Sequence, residues 1–162
     1  RMEALQSQYD HLAHLKPDVF SMSTLATAWA KSRSPEAATK ALGILNYMDV
    51  QKLSPNTITY NAVLHALAMG DQIDKAVQVE DVVRRMERRY VDGEDCKPDI
   101  YSYQSLIQAW ARTSLPGSPQ KAEQILRYLD QQSEDGDKGL SPNVYCFTTT
   151  IHAWAKSCEK KR

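Results

Sequence analysis

In the segment that starts at Thr57, the apolar residues Tyr60, Val63, Leu64 and Leu67 fall at i, i+3, i+4 and i+7, one stripe of an α-helix. Met22, Leu25, Ala26 and Trp29 repeat that spacing, as do Tyr103, Leu106, Ile107 and Trp110. These stripes predict core faces. Each of the segments follows a proline set in the same surroundings: Lys16-Pro17-Asp18, Ser54-Pro55-Asn56, Lys97-Pro98-Asp99 and Ser141-Pro142-Asn143. The steps between the prolines are 38, 43 and 44 residues, and the stretches beginning at Val19, Thr57, Ile100 and Val144 resemble one another along their length. The chain is therefore built from an internal repeat.

A second helix is expected in three of the repeats. Ser34-Pro35 and Ser118-Pro119 each offer an N-cap hydroxyl followed by proline in the first turn, and Asp71 opens the segment carrying Ile73, Ala76, Val79, Val83 and Met86. All seven prolines fall between helices or in a first turn. A two-helix unit cannot bury its apolar face alone, so neighbouring units must stack. The fold class that follows is all-α: an α-solenoid of antiparallel helix-turn-helix repeats with the first helices on the inner side. The expected divisions are residues 1–18 as a partial repeat holding a second helix, complete repeats over 19–56, 57–99 and 100–143, and a partial repeat holding a first helix over 144–162.

Composition narrows the class. Of 162 residues, 42% are apolar and 25% charged, with 20 basic and 20 acidic side chains in balance, which describes a packed domain and not a disordered tail. No apolar run approaches the roughly 20 residues needed to cross a bilayer, so a membrane reading is set aside. Cys96, Cys146 and Cys158 are odd in number and lack C-x-x-C spacing, which argues against a disulfide framework or a structural zinc site. Neutral charge removes the simplest argument for nucleic acid but leaves room for a local basic row. The chain opens in a helix-like stretch, Arg1 to Leu15, without a targeting pattern and stops at Lys160-Lys161-Arg162; it is expected to be an excerpt of a longer protein.

The first helices carry another stripe beside the apolar one. Positions i, i+3, i+7 and i+11 return to within about 60° of one line along a helix. The four rows are Phe20, Ser23, Thr27, Lys31; Ile58, Asn61, His65, Met69; Tyr101, Gln104, Gln108, Arg112; and Tyr145, Thr148, His152, Lys156. Each begins with a large ring or branched apolar group, continues with a hydrogen-bonding side chain, and in three cases ends in a cation. Such an order suits a splayed nucleotide: a ring stacks the base, a neutral polar group reads its edge and a cation meets phosphate.

With these residues the segments resemble pentatricopeptide repeats, best over Thr57 to Ala76 with Thr59-Tyr60-Asn61 and the closing Lys97-Pro98-Asp99. The resemblance covers nearly the whole chain, although these repeats exceed the family's usual length of about 35 residues. The excess lies around Tyr90 to Cys96 and Ser133 to Gly139, and the acidic loop Ser133 to Asp137 is expected to project from the outer end. The resemblance implies sequence-specific binding of single-stranded RNA in mitochondria or plastids, serving RNA processing, stability, editing or translation. It implies base-reading pairs Ser23 with Asn56, Asn61 with Asp99, and Gln104 with Asn143, while Asp18 and Thr148 each lack a partner. Ser with Asn is associated with adenine and Asn with Asp with uracil. Phe20, Ile58, Tyr101 and Tyr145 take the base-sandwiching position, and Lys31, Arg112 and Lys156 the phosphate-contacting one, with Met69 breaking that row.

Each assignment has a plainer competitor. Solenoid inner faces are often merely solvated. Trp29, Trp110 and Trp154 lie on the apolar stripe and read as core residues. His65 and His152 are far apart in sequence and His11 with His14 lack a third ligand, so no metal is expected. Arg84, Arg85, Arg88 and Arg89 lie on a second helix, where Glu80 with Arg84 and Asp81 with Arg85 form favourable i,i+4 pairs; the run reads as a salt-bridged outer face, with docking of another protein as the alternative. No nucleophile elbow, phosphate loop or zincin motif is present, so neither an enzyme nor a site for a cofactor or small-molecule substrate is expected. The alternative function is a tetratricopeptide-like scaffold holding a peptide in the concave groove, disfavoured by the long period and the late tryptophans.

Overall fold

A computed structural model describes residues 17–32, 34–71, 74–113 and 115–159. Among them are seven α-helices: α1 (Val19–Lys31), α2 (Ala37–Val50), α3 (Thr57–Met69), α4 (Lys75–Val91), α5 (Ile100–Arg112), α6 (Ser118–Glu134) and α7 (Val144–Glu159), with a short 3-10 turn at Lys138–Leu140. The Arg1 to Leu15 stretch, His11 and His14, Ile73 and the terminal Lys160-Lys161-Arg162 lie outside the described residues.

The residue after each repeat proline decides where the first helix begins. Proline disfavours helical backbone at the residue before it, and the Asp or Asn that follows closes the first turn as an N-cap. Asp18 accepts from the Ser21 backbone N–H at 2.8 Å, Asn56 from Thr59 at 2.9 Å, Asp99 from Ser102 at 3.0 Å and Asn143 from Cys146 at 3.3 Å. Asp99 and Ser102 complete a reciprocal capping box, since the Asp99 N–H donates to Ser102 Oγ.

The second helices start less sharply than the sequence suggests. Helix α4 begins at Lys75 rather than near Asp71, and neither Asp74 nor Glu36 makes a side-chain cap. Gly117, in the left-handed region, precedes α6, and the Ser118 hydroxyl turns back to donate to the Leu115 carbonyl instead of capping. Their ends are more uniform. All three close in Schellman motifs: Leu53 N–H donates to Met48 O, Glu94 to Arg89 O and Asp137 to Gln132 O. The left-handed residue is Gly93 in α4 and Gly136 in α6, where glycine carries no Cβ penalty, but Lys52 in α2.

Helices α1, α3, α5 and α7 pack side by side as one layer, and each second helix packs against its own first helix and the first helix of the next repeat. This is an α-solenoid with the second helices forming the outer layer. Leu45, Met48, Tyr60, Leu64, Leu67, Met86, Ile107 and Leu129 are fully buried between the layers. The expected stripes hold with local exceptions. Leu25 is 44% exposed, although its counterparts Val63 and Leu106 are buried, because no helix precedes α1 among the described residues to cover it. Phe147 and Ile151 on α7 are exposed where Tyr103 and Ile107 are buried, for the matching reason at the other end. Trp110 is buried, Trp29 packs half-buried against the core, and Trp154 is half-buried with its indole N–H on Glu123 at 3.1 Å.

The extra repeat length is folded, not loose. Part of it lengthens α4 and α6 to 17 residues against 14 in α2. The acidic loop does not project freely: Asp137 caps Gly139 and accepts from Lys97 Nζ at 2.7 Å, and Leu140 is buried. That ion pair holds Asp137 below its ordinary carboxylate range and Lys97 above its ordinary amine range, the hydrogen bond being the main cause in both.

Candidate nucleic-acid interface

Because the first helices lie parallel in register, the four rows stand beside one another on the inner face. The leading residues are solvent-exposed despite being large and apolar: Phe20 by 78%, Ile58 by 63%, Tyr101 by 64% and Tyr145 by 42%. A hollow of about 690 Å³ opens between the rows, with residues of all four on its walls. Ile58, Tyr101 and Tyr145 stand on its walls, and Asn61, Asp99, Gln104, His65 and Lys31 line it as well. Some positions of each inferred kind thus meet there, whereas Phe20, the Ser23 and Asn56 pair, Asp18, Asn143, Thr148, Arg112 and Lys156 lie outside it.

The Asn61 and Asp99 pair is preformed. Asn61 Nδ2 donates to Asp99 Oδ1 and Oδ2, both at 3.0 Å, while Ser102 Oγ donates to Asn61 Oδ1 at 2.6 Å. An amide nitrogen carries two hydrogens and a carbonyl oxygen two lone pairs, so the oriented Asn61 amide keeps a donor and an acceptor for a base edge. The other pairs differ. Ser23 is only 6% exposed, its hydroxyl donating to Val19 O at 2.7 Å and sharing a hydrogen bond with Thr59 Oγ1 at 2.6 Å. Asn56 Oδ1 is taken by the Thr59 N–H and hydroxyl, and its distance to Ser23 Oγ is 3.4 Å. Gln104 is half-buried and Asn143 exposed. Thr148 is exposed, with its hydroxyl on Val144 O, and Asp18 is occupied by Ser21.

The sequence pattern assigns no contact between repeats to Thr59 or Ser102. Each sits at the third position of its helix, takes the N-cap hydrogen bond and makes hydroxyl contacts with its own cap and with Ser23 or Asn61 of the repeat before. The capping-box spacing of Asp99 and Ser102 was the available signal. In the last repeat Cys146 occupies this position, and a thiol is a weaker hydrogen-bonding group.

Among the cations, Lys31 and Arg112 are exposed, and the Lys156 ammonium lies 3.4 Å from the Arg112 carbonyl at the end of α5. The outer basic run is different from the expected one. Arg84 pairs with Glu80 as anticipated, but Arg85 pairs with Asp49 of α2 and not with Asp81. Arg89 bridges the same Asp49 at 2.7 Å and Glu94 at 2.9 Å. Asp49 is reachable because α2 and α4 lie next to each other on the outer layer, a proximity that spacing within one helix cannot reveal. Two of the four arginines thus tie repeats together, leaving Arg88 and the outer side of Arg84 exposed.

Stacked two-helix repeats with an inner row of rings, polar groups and cations define a helical-repeat protein. This chain matches the family model for the pentatricopeptide repeat domain over residues 12–69. It is 26% identical over 160 residues to a chloroplastic pentatricopeptide repeat-containing protein of Arabidopsis thaliana, covering 99% of this chain and 18% of that one. A second such protein of the same plant is 22% identical over 147 residues, covering 91% and 22%, and a third is 29% identical over 94 residues, covering 57% and 16%. The chain therefore spans about a fifth of the length of these relatives. Repeat-based RNA binding is the family's property, and its members are in general not enzymes.

Proposed function

We propose that this chain binds single-stranded RNA sequence-specifically, one base per repeat, with the Asn61 and Asp99 pair preferring uracil and the Ser23 and Asn56 pair adenine, in the second case through the Asn56 amide nitrogen, since the Ser23 hydroxyl is held by Val19 and Thr59. The observation that carries the reading is the Asn61 amide, held by Asp99 on its donor side and Ser102 on its acceptor side, between exposed Ile58 and Tyr101. A base slid between those walls is stacked on a ring for roughly 1 to 3 kcal/mol and meets an amide that loses little entropy on contact. Lys31, Arg112 and Lys156 supply the phosphate contacts. The repeat divisions are residues 19–56, 57–99 and 100–143, with partial repeats over 1–18 and 144–162. The whole protein acts in a plastid or mitochondrion on RNA processing, stability, editing or translation; a chloroplastic relative supports the first compartment.

A peptide scaffold draws less support, because the inner face offers separate rings and oriented polar pairs in place of a continuous apolar groove. The test is an NMR titration of this chain with a short single-stranded RNA containing the step A-U against one containing U-A. Shifts at Phe20, Asn61, Asp99 and Tyr101, larger for A-U, are the expected result. Absence of any shift at low salt overturns RNA binding by this chain.

A further inference from the structure

The phosphate row of the inner face has a gap. Lys31, Arg112 and Lys156 end their rows in cations, while the second row ends in Met69. That row is the one holding the best-formed base-reading pair, so the nucleotide bound most specifically lacks a cation of its own repeat. The side chain one turn before Met69 is His65, exposed and on the same line of α3. His65 stands on the wall shared by two hollows: one lined by Asn61, Asp99 and Tyr101, the other by Lys31, Met69, Gly70 and Asp71. A nucleotide with its base against Asn61 and its phosphate towards Met69 would span His65.

The spacing fits that span. His65 lies four residues beyond Asn61, about 6 Å along the helix axis, between the base-reading position and the phosphate position about 12 Å away. We propose, resting on the RNA-binding reading above, that protonated His65 supplies the backbone contact that Met69 cannot, making the hold of this repeat on the phosphate chain stronger as pH falls. Imidazolium is a cation with two N–H donors, whereas the neutral ring offers one donor and no charge. The charged and titratable groups facing His65 are Lys31 from α1, Asp71 after α3, Asp99 at the start of α5, Tyr101 on α5 and Tyr145 on α7. Asp99 is already engaged by Asn61 and Ser102, and Lys75 at the start of α4 is turned onto the Gly70 carbonyl at 2.9 Å. The α2 side of the second hollow contributes Ser34, Pro35, Ala37 and Ala38, none of which titrates.

The experiment measures affinity for a U-containing single-stranded RNA at about pH 5.5 and about pH 7.5, for the wild-type chain, His65→Gln and the double variant His65→Gln with Met69→Lys. The expected result is roughly threefold to tenfold tighter binding at the lower pH in wild type, lost in His65→Gln. The double variant is expected to regain tight binding at both pH values, with a salt dependence steeper by about 0.7, the increment of one phosphate contact on a single strand. A pH dependence that persists in His65→Gln, or is absent from wild type that binds RNA, overturns the role of His65. Failure of wild type to bind at either pH overturns instead the RNA-binding reading on which it rests.

Discussion

Asn61 and Asp99 meet across 38 positions of sequence, the amide nitrogen of one donating to both carboxylate oxygens of the other at 3.0 Å. Asn61 lies on α3 and Asp99 caps α5, so the pair exists only because consecutive first helices pack in register. Ser102 closes the arrangement by donating to Asn61 Oδ1 at 2.6 Å. On the proposed RNA-binding reading, base recognition is divided between a contacting residue and a hydroxyl that orients it.

Replacing Ser102 by Ala frees the Asn61 amide to rotate. Base discrimination at that repeat is expected to fall by about 1 kcal/mol, the typical net value of one hydrogen bond, with little change in binding to a mismatched strand. Asn61→Ala should abolish the discrimination. Competition titrations with strands differing at one base distinguish the two.

Lys31→Ala is expected to weaken binding to all sequences alike and to lower the slope of log K against log salt by about 0.7, since one phosphate contact on a single strand is removed. Affinity measured over a series of salt concentrations gives that slope directly. A change in base preference instead would place Lys31 at a base edge.

Lys52 is in the left-handed region, at φ 56°, where Gly93 and Gly136 end the other two second helices. Lys52→Gly removes the Cβ penalty at a site whose Schellman hydrogen bonds remain. Stability is expected to rise by about 0.5 to 1 kcal/mol, less the greater chain entropy of glycine in the unfolded state. Chemical denaturation of the pair of proteins reads the difference.

The Lys97 and Asp137 tie predicts a pH dependence with two edges. Asp137 has a lowered carboxyl in the folded chain, so its contribution is present above the ordinary carboxylate range and is lost as pH falls through the lowered value. Lys97 has a raised amine, so its contribution is present below the ordinary lysine range, about 10.4, and is lost as pH rises through the raised value. NMR titration of the Asp137 carboxyl should show its midpoint return towards about 3.9 in Lys97→Met.

Cys96 and Cys146 are buried and Cys158 is exposed, and burial pushes the Cys96 thiol up. A thiol reagent under native conditions is expected to label Cys158 first, with the other two reacting only on unfolding. Rapid labelling of Cys96 would mean that the α4 end opens readily.

The first helices were legible in the sequence because their signals are local. The Pro-Asp and Pro-Asn pairs combine the backbone restriction of proline with a capping side chain, and the apolar stripes need only helical periodicity to be read. The inner row was legible for the same reason: residues at i, i+3, i+7 and i+11 share a face whatever surrounds the helix. Where a boundary depended on a less insistent signal, as at Asp71 and Ser118, spacing misplaced the cap.

What the tertiary structure alone decided is which side chains of different repeats touch. Arg85 has a good partner in Asp81 by helical spacing, yet it pairs with Asp49, because α2 brings a carboxylate to it that no local pattern announces. The acidic run after Glu134 looks like a solvated loop until Lys97 is found beside Asp137. Ser23 is polar and placed to face a base, but Thr59 from the next repeat takes its hydroxyl. A sequence thus determines its own helices and their faces through interactions within a few turns, whereas the stacking of one repeat on the next selects among the partners those faces make available.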